Sequence, residues 1–182
     1  MKIIVPLAPG FEEIEAITII DVLRRANLDV QSAGLADGLV TGSHGIPVKP
    51  DTLLHKCNPV DYNCIVLPGG MPGSENLKHN DDVLKFIKHI FSKGGYVAAI
   101  CAAPIVLGAA EILYGKKATC FPGFEHEITG ATIVNEPVVV DGTIITAKGP
   151  GCAIPFALTL VGQFAGKEVH NTLKNTMQVY WM

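Results

Sequence analysis

The hydrophobic positions fall into short runs of four to six residues separated by longer mixed segments. Residues 2–7, 64–67 and 96–100 are nearly continuous apolar runs, the pattern of strands buried on both faces, and the more mixed residues 29–33 read as a further strand. Between them, residues 14–25 and 81–92 carry apolar positions at helical spacing. The first closes on the basic pair Arg24 and Arg25, the second before Gly94 and Gly95. A further helix is predicted from Ala103, an apolar one over residues 154–164 and a more polar one over residues 167–177. Residues 38–56 read as a short β excursion with turn signals at Thr41-Gly42 and Ile46-Pro47. Residues 138–140 and 143–147 read as a hairpin around Asp141-Gly142.

Strands alternating with helices predict β-α-β units and a mostly parallel sheet, with the excursion and the late hairpin adding antiparallel edges. No linker, repeat or low-complexity tract divides the chain, so residues 1–182 are expected to form one domain. Hydrophobic residues make up 48% and charged residues 17%. That balance suits a sheet covered on both faces, with some apolar surface left for a dimer interface. The net charge of −3 and the lack of a basic run argue against nucleic-acid binding. Neither a signal peptide nor a membrane span is expected, because Pro6, Pro9 and the acidic residues Glu12, Glu13 and Glu15 interrupt the first apolar run. Five cysteines at irregular spacing, without a C-x-x-C, predict reduced thiols and neither a disulfide framework nor a zinc site.

Ligands of an open parallel sheet bind beyond the carboxyl ends of its strands. Four turns there are rich in glycine or small residues: 9–13, 68–73, 101–104 and 149–151. All four could line one crevice. In the third, a strand of small residues ends at Cys101, and Ala102, Ala103 and Pro104 open a helix. A strand–nucleophile–helix turn has this form, and a cysteine just ahead of a helix is expected to have a lowered thiol pKa. The other reading is a buried structural cysteine. Glu15 stands one turn into its helix among apolar neighbours. Burial would keep it protonated and able to donate to a thiolate. The alternative assigns Glu12, Glu13 and Glu15 to the helix dipole, which accounts for the first two better than the third. The Pro68-Gly69-Gly70 turn could present N–H groups to an oxyanion. None of the six histidines adjoins Cys101 in sequence, and His126, between Glu125 and Glu127, reads as a solvated loop residue. The tail 179–182 reads as a docking or interface segment.

Residues 97–104, Val-Ala-Ala-Ile-Cys-Ala-Ala-Pro, resemble the nucleophile elbow of the ThiJ/PfpI (DJ-one) superfamily. Residues 9–15, 21–25, 66–70 and 148–151 resemble further signatures of the same superfamily. The resemblance runs in register from about residue 2 to residue 170 and is nearest the branch of the parkinsonism-associated deglycase and bacterial YajL. It implies a flavodoxin-like three-layer sandwich with a mostly parallel sheet and a small antiparallel hairpin. It also implies a cytoplasmic homodimer without cofactor or metal. By position it makes Cys101 the nucleophile and oxidation-sensitive thiol and Glu15 its protonated partner, with the Gly70 and Ala102 N–H groups holding an oxyanion or a sulfinate. The activity implied is glyoxalase or deglycase chemistry on 2-oxoaldehydes of the methylglyoxal type, or on glycated protein and nucleotide. The alternative is a redox sensor or chaperone working through Cys101 sulfinate. Phe121 stands where the human-like branch has a histidine, which argues against a Cys-His-Glu triad. Ala102 stands where the protease-like branch has a histidine, which argues against peptidase chemistry. His44 replaces an arginine near the dimer interface.

Overall fold

The structure, a computed structural model, describes residues 1–180. Its frame is a seven-stranded sheet in the order β10-β11-β7-β6-β1-β2-β5. These strands are Val138–Asp141 (β10), Ile144–Ala147 (β11), Tyr96–Ile100 (β7), Cys64–Leu67 (β6), Lys2–Leu7 (β1), Asp29–Gly34 (β2) and Thr52–Leu53 (β5). Every pairing is parallel except the β10–β11 hairpin. The mostly parallel sheet and its hairpin are therefore as expected. One edge differs. The excursion over residues 38–56 forms a separate antiparallel pair, Val40–Thr41 (β3) with Pro47–Val48 (β4), and then gives the central sheet a parallel edge through β5. Pro47, read as a turn signal, begins a strand. It sits in a two-stranded ribbon, where a missing N–H is tolerated.

Alternation within the strands explains the two apolar layers. Ile3, Val5 and Leu7 face one side with Val66, Ala98 and Ile145. The helices Glu13–Arg25 (α1) and Ala153–Ala165 (α5) pack there, with Lys167–Thr176 (α6) against α5. Ile4, Ile65, Leu67, Val97 and Ala99 face the other side. That side is covered by Gly73–Lys78 (α2), Asp81–Ser92 (α3) and Pro104–Ala109 (α4). Buried on both faces, the strands lose the polar alternation of a half-exposed sheet. Asn80 caps α3, its side chain accepting from the Val83 N–H, and Pro104 opens α4 where its missing N–H costs nothing. Helix α2 and the two-residue parallel pair Lys117–Ala118 (β8) with Thr132–Ile133 (β9) were not foreseen. They are too short to carry a readable period. At the tail, Val179 is buried and Tyr180 exposed; Trp181 and Met182 lie outside the described residues. Among the described residues no helix is long and apolar enough to cross a membrane.

Candidate active site

The four turns do meet at one end of the sheet. The Glu12 N–H donates to Gly69 O at 2.8 Å, and the Gly73 N–H donates to Gly10 O at 3.2 Å. Together these bonds bind the turn after β1 to the turn after β6. Cys101 follows β7 with φ +64°, a left-handed conformation that side chains rarely adopt. Two backbone bonds hold it there. Its N–H donates to Ala147 O at 2.9 Å, and its carbonyl accepts the Phe121 N–H at 2.8 Å. Such strain persists where surrounding structure over-determines it. Gly69 makes room for the pair. A Cβ on it would lie 2.6 Å from Cys101 Cβ and 2.7 Å from Glu15 Oε2.

Glu15 is fully buried at the base of this turn. Its Oε2 accepts the Gly69 N–H at 2.7 Å, and its Oε1 has no hydrogen-bond partner. Burial drives the carboxyl up to about 7. The Gly69 N–H and the Cys101 thiol hold it down, and the charge of Glu12 adds to the rise. An orphaned buried oxygen is expensive on a carboxylate and cheaper on the neutral acid. Cys101, 8% exposed, lies beside Glu15, with the N–H groups of Gly70 and Ala102 near its sulfur, where they favour its charged form. Burial, then the Glu15 charge, pushes its thiol up to about 12, against the pull of those two N–H groups. The expected lowering is thus not found. Cys101 lies three residues ahead of a helix only six residues long, so the dipole is too weak to offset burial beside a carboxylate. A thiol facing ionised Glu15 holds its proton, and protonating Glu15 converts the repulsion into a donated hydrogen bond.

Above Cys101 opens a cleft of about 460 Å³. Ile14, Met71, Phe121 and Phe124 give it an apolar rim, with Pro150 from the turn after β11 and Glu12 and His44 in its wall. Glu12 and Glu13 do more than complement the dipole. Glu13 Oε1 accepts the N–H groups of His44 (2.8 Å) and Ile46 (3.3 Å), while its Oε2 meets His44 Nδ1 at 3.0 Å. Burial would raise Glu13, but these bonds outweigh it and hold the carboxyl at about 2. The same contact raises His44, with the charges of Glu12 and Glu13 adding to it. Glu12, Glu13 and His44 are the one group among the described residues spaced to share a cation. Their oxygens are already engaged as a clasp between α1 and the β3–β4 turn. Sequence reasoning did not place His44 or Phe124 at the site. His44 reaches it across thirty-one positions of chain, and no local pattern marks such a contact. His126 lies exposed beside Glu127, outside the cleft. Of the remaining thiols, Cys64 and Cys120 are buried and raised by burial, and Cys57 and Cys152 are partly buried. All five cysteines are free.

A cysteine on a left-handed turn after a parallel strand, with a buried glutamate from the first helix beside it, narrows the class. The chain belongs to the DJ-1/PfpI family, whose profile matches residues 1–163. It is 39% identical over 181 residues to protein dj-1beta of Drosophila melanogaster, covering 97% of each chain. The crystal structure of that DJ-1beta superposes with a TM-score of 0.94 at 37% identity, covering 100% of both chains. DJ-1 homolog B of Arabidopsis thaliana is 42% identical over 170 residues, which are 92% of this chain and 39% of that one. The chain thus spans about two fifths of the length of that plant relative. Deglycase PH1704 of Pyrococcus horikoshii is 34% identical over 152 residues, covering 82% of this chain and 91% of that protein.

Proposed function

We propose that the protein is a cysteine-dependent carbonyl-stress enzyme. Its substrates would be small 2-oxoaldehydes of the methylglyoxal type, or their early adducts on protein and nucleotide. It would act as a cytoplasmic homodimer. The observation that carries this reading is the placement of buried Glu15 beside Cys101 at the base of the cleft, both packed against Gly69, with the Gly70 and Ala102 N–H groups near the sulfur. The relationship to a protein named a deglycase supports it.

The thiol proton passes to the Glu15 carboxylate as Sγ bonds to the aldehyde carbon. The carbonyl electron pair goes to oxygen, which takes the proton back and leaves a thiohemiacetal. Glu15 then removes the hydrogen of that carbon as a proton and returns it to the neighbouring ketone carbon, while the thiohemiacetal O–H proton passes to the ketone oxygen. One carbon is oxidised to a thioester while the other is reduced to an alcohol. Water hydrolyses the thioester, releasing a hydroxyacid such as lactate and restoring the thiol. A carboxyl near pH 7 suits both halves of this transfer. No histidine is needed, consistent with Phe121.

The test is methylglyoxal consumption with chiral lactate detection. Cys101→Ser is expected to abolish turnover, and Glu15→Gln to lower kcat by about 10²–10⁴-fold. Undiminished turnover in Cys101→Ser would sink the proposal. A second reading, a redox sensor or chaperone, draws on the same two N–H groups, which would stabilise a sulfinate on Cys101 as readily as an oxyanion. It expects a two-oxygen mass gain confined to Cys101 under mild peroxide, with no aldehyde turnover.

A further inference from the structure

The cleft is much larger than methylglyoxal, a molecule of about five heavy atoms, and falls in the range of sites that bury larger ligands. Its rim is unusually apolar for exposed surface. Met71 is 42% exposed and Phe121 43%. The Phe121 ring is fixed in place. It meets Phe124 edge to face at 6.5 Å between centroids and 65° between planes. On its other side it rests over Gly149, where an added methyl would stand 3.2 Å from its Cδ2. An aromatic pair held half-exposed over a reactive sulfur offers a flat substituent both stacking and burial.

The charges at the cleft point the same way. No lysine or arginine is among its lining residues. Glu12 stands in the wall, and the one basic side chain there, His44, is engaged by Glu13 at 3.0 Å and Glu12 at 3.5 Å. Two carboxylates against one imidazole leave no free side-chain cation in the cleft wall to pair with a substrate carboxylate. We infer that Phe121 and Phe124 are specificity-determining residues that select neutral carbonyl compounds bearing an aryl group, while Glu12 turns away carboxylate-bearing ones. The inference rests on the reading of Cys101 as the nucleophile.

Alkylation of Cys101 tests it without requiring turnover. Rates with iodoacetanilide, iodoacetamide and iodoacetate, followed by peptide mass at Cys101, are each divided by the rate with free cysteine. The aryl reagent is expected to be favoured over iodoacetamide by roughly 10-fold or more. Iodoacetate is expected to be disfavoured by about 10-fold. Phe121→Ala should bring the aryl ratio close to that of free cysteine. Phe121→Lys, which keeps a long side chain and adds a cation, should raise the iodoacetate rate. Equal normalised rates for the aryl reagent and iodoacetamide, an aryl ratio unchanged in Phe121→Ala, or no modification of Cys101 by any reagent would overturn the inference. Parallel kcat/KM values for phenylglyoxal, methylglyoxal and glyoxylate separate the two proposals. An aryl preference in alkylation without turnover of any aldehyde leaves the selectivity standing and removes the enzyme reading. Turnover without aryl preference does the reverse.

Discussion

At the scale of single residues, Glu15 imposes opposite demands on stability and chemistry. Its carboxyl is raised from 4.5 to about 7 by burial. The neutral form therefore belongs to the folded state, and its contribution is fully present below pH 4.5. That contribution is lost as pH rises toward 7, by about 3 kcal/mol at 1.4 kcal/mol per unit. Glu15→Gln has no proton to lose. Urea unfolding between pH 4.5 and 7.5 should show the variant gaining on the wild type by about that amount. Parallel curves would show that Glu15 is not titrating in this window. Catalysis on the proposed route needs the ionised form to receive the thiol proton. Wild-type kcat/KM should therefore climb through pH 7 over the range in which stability falls. Both trends follow from an acid held in an apolar layer beside a thiol.

At the scale of elements, the strands were legible because double burial makes them continuous apolar runs. β1, β6, β7 and α3 lie where the pattern placed them, and α1 and α5 differ by a residue at their ends. The unread pieces are those whose form depends on distant partners. α2 is six residues long and held by bonds such as Ser74 N–H to Gly70 O. β8 and β9 pair only because the chain returns through residues 119–131. At the site, the positions of Cys101 and Glu15 were readable from local context, one ending a strand of small residues and the other a lone acid on an apolar helix. The thiol's upward shift was not, because it depends on the two meeting. The turn between β6 and α2 also meets the turn after β7 closely enough to be tested. Gly69→Ala would force Cys101 Cβ and Glu15 Oε2 apart, with an expected cost of about 1–3 kcal/mol in unfolding free energy. The loss of methylglyoxal turnover should be larger than that cost explains. A variant with normal stability and activity would show that the turns have slack.

At the scale of the whole molecule, the outer face of α1 is left unpaired. Ile17, 44% exposed, lies on it, and Ile14 and Ile46, 58% and 55% exposed, flank the same end of the fold. Three exposed isoleucines on a folded domain suit an interface between two copies, which is the state proposed for the active protein. Ile17→Glu places a charge on that surface without touching the sheet. Sedimentation should show the wild type as a dimer and the variant as a monomer with an unchanged far-UV spectrum. A variant that remains dimeric would move the interface elsewhere.

The clamp on Cys101 also has a consequence in time. The residue leaves the ribosome well before Ala147, whose carbonyl receives its N–H. At cellular rates of synthesis the interval is about a few seconds. Until then the left-handed turn lacks one of its two clamps and the strand beside it, and the sulfur sits on an unfinished sheet with the acidity of an ordinary thiol. The newborn polypeptide therefore passes through a stage in which Cys57, Cys64, Cys101 and Cys120 are chemically alike. Only the finished sheet singles one of them out.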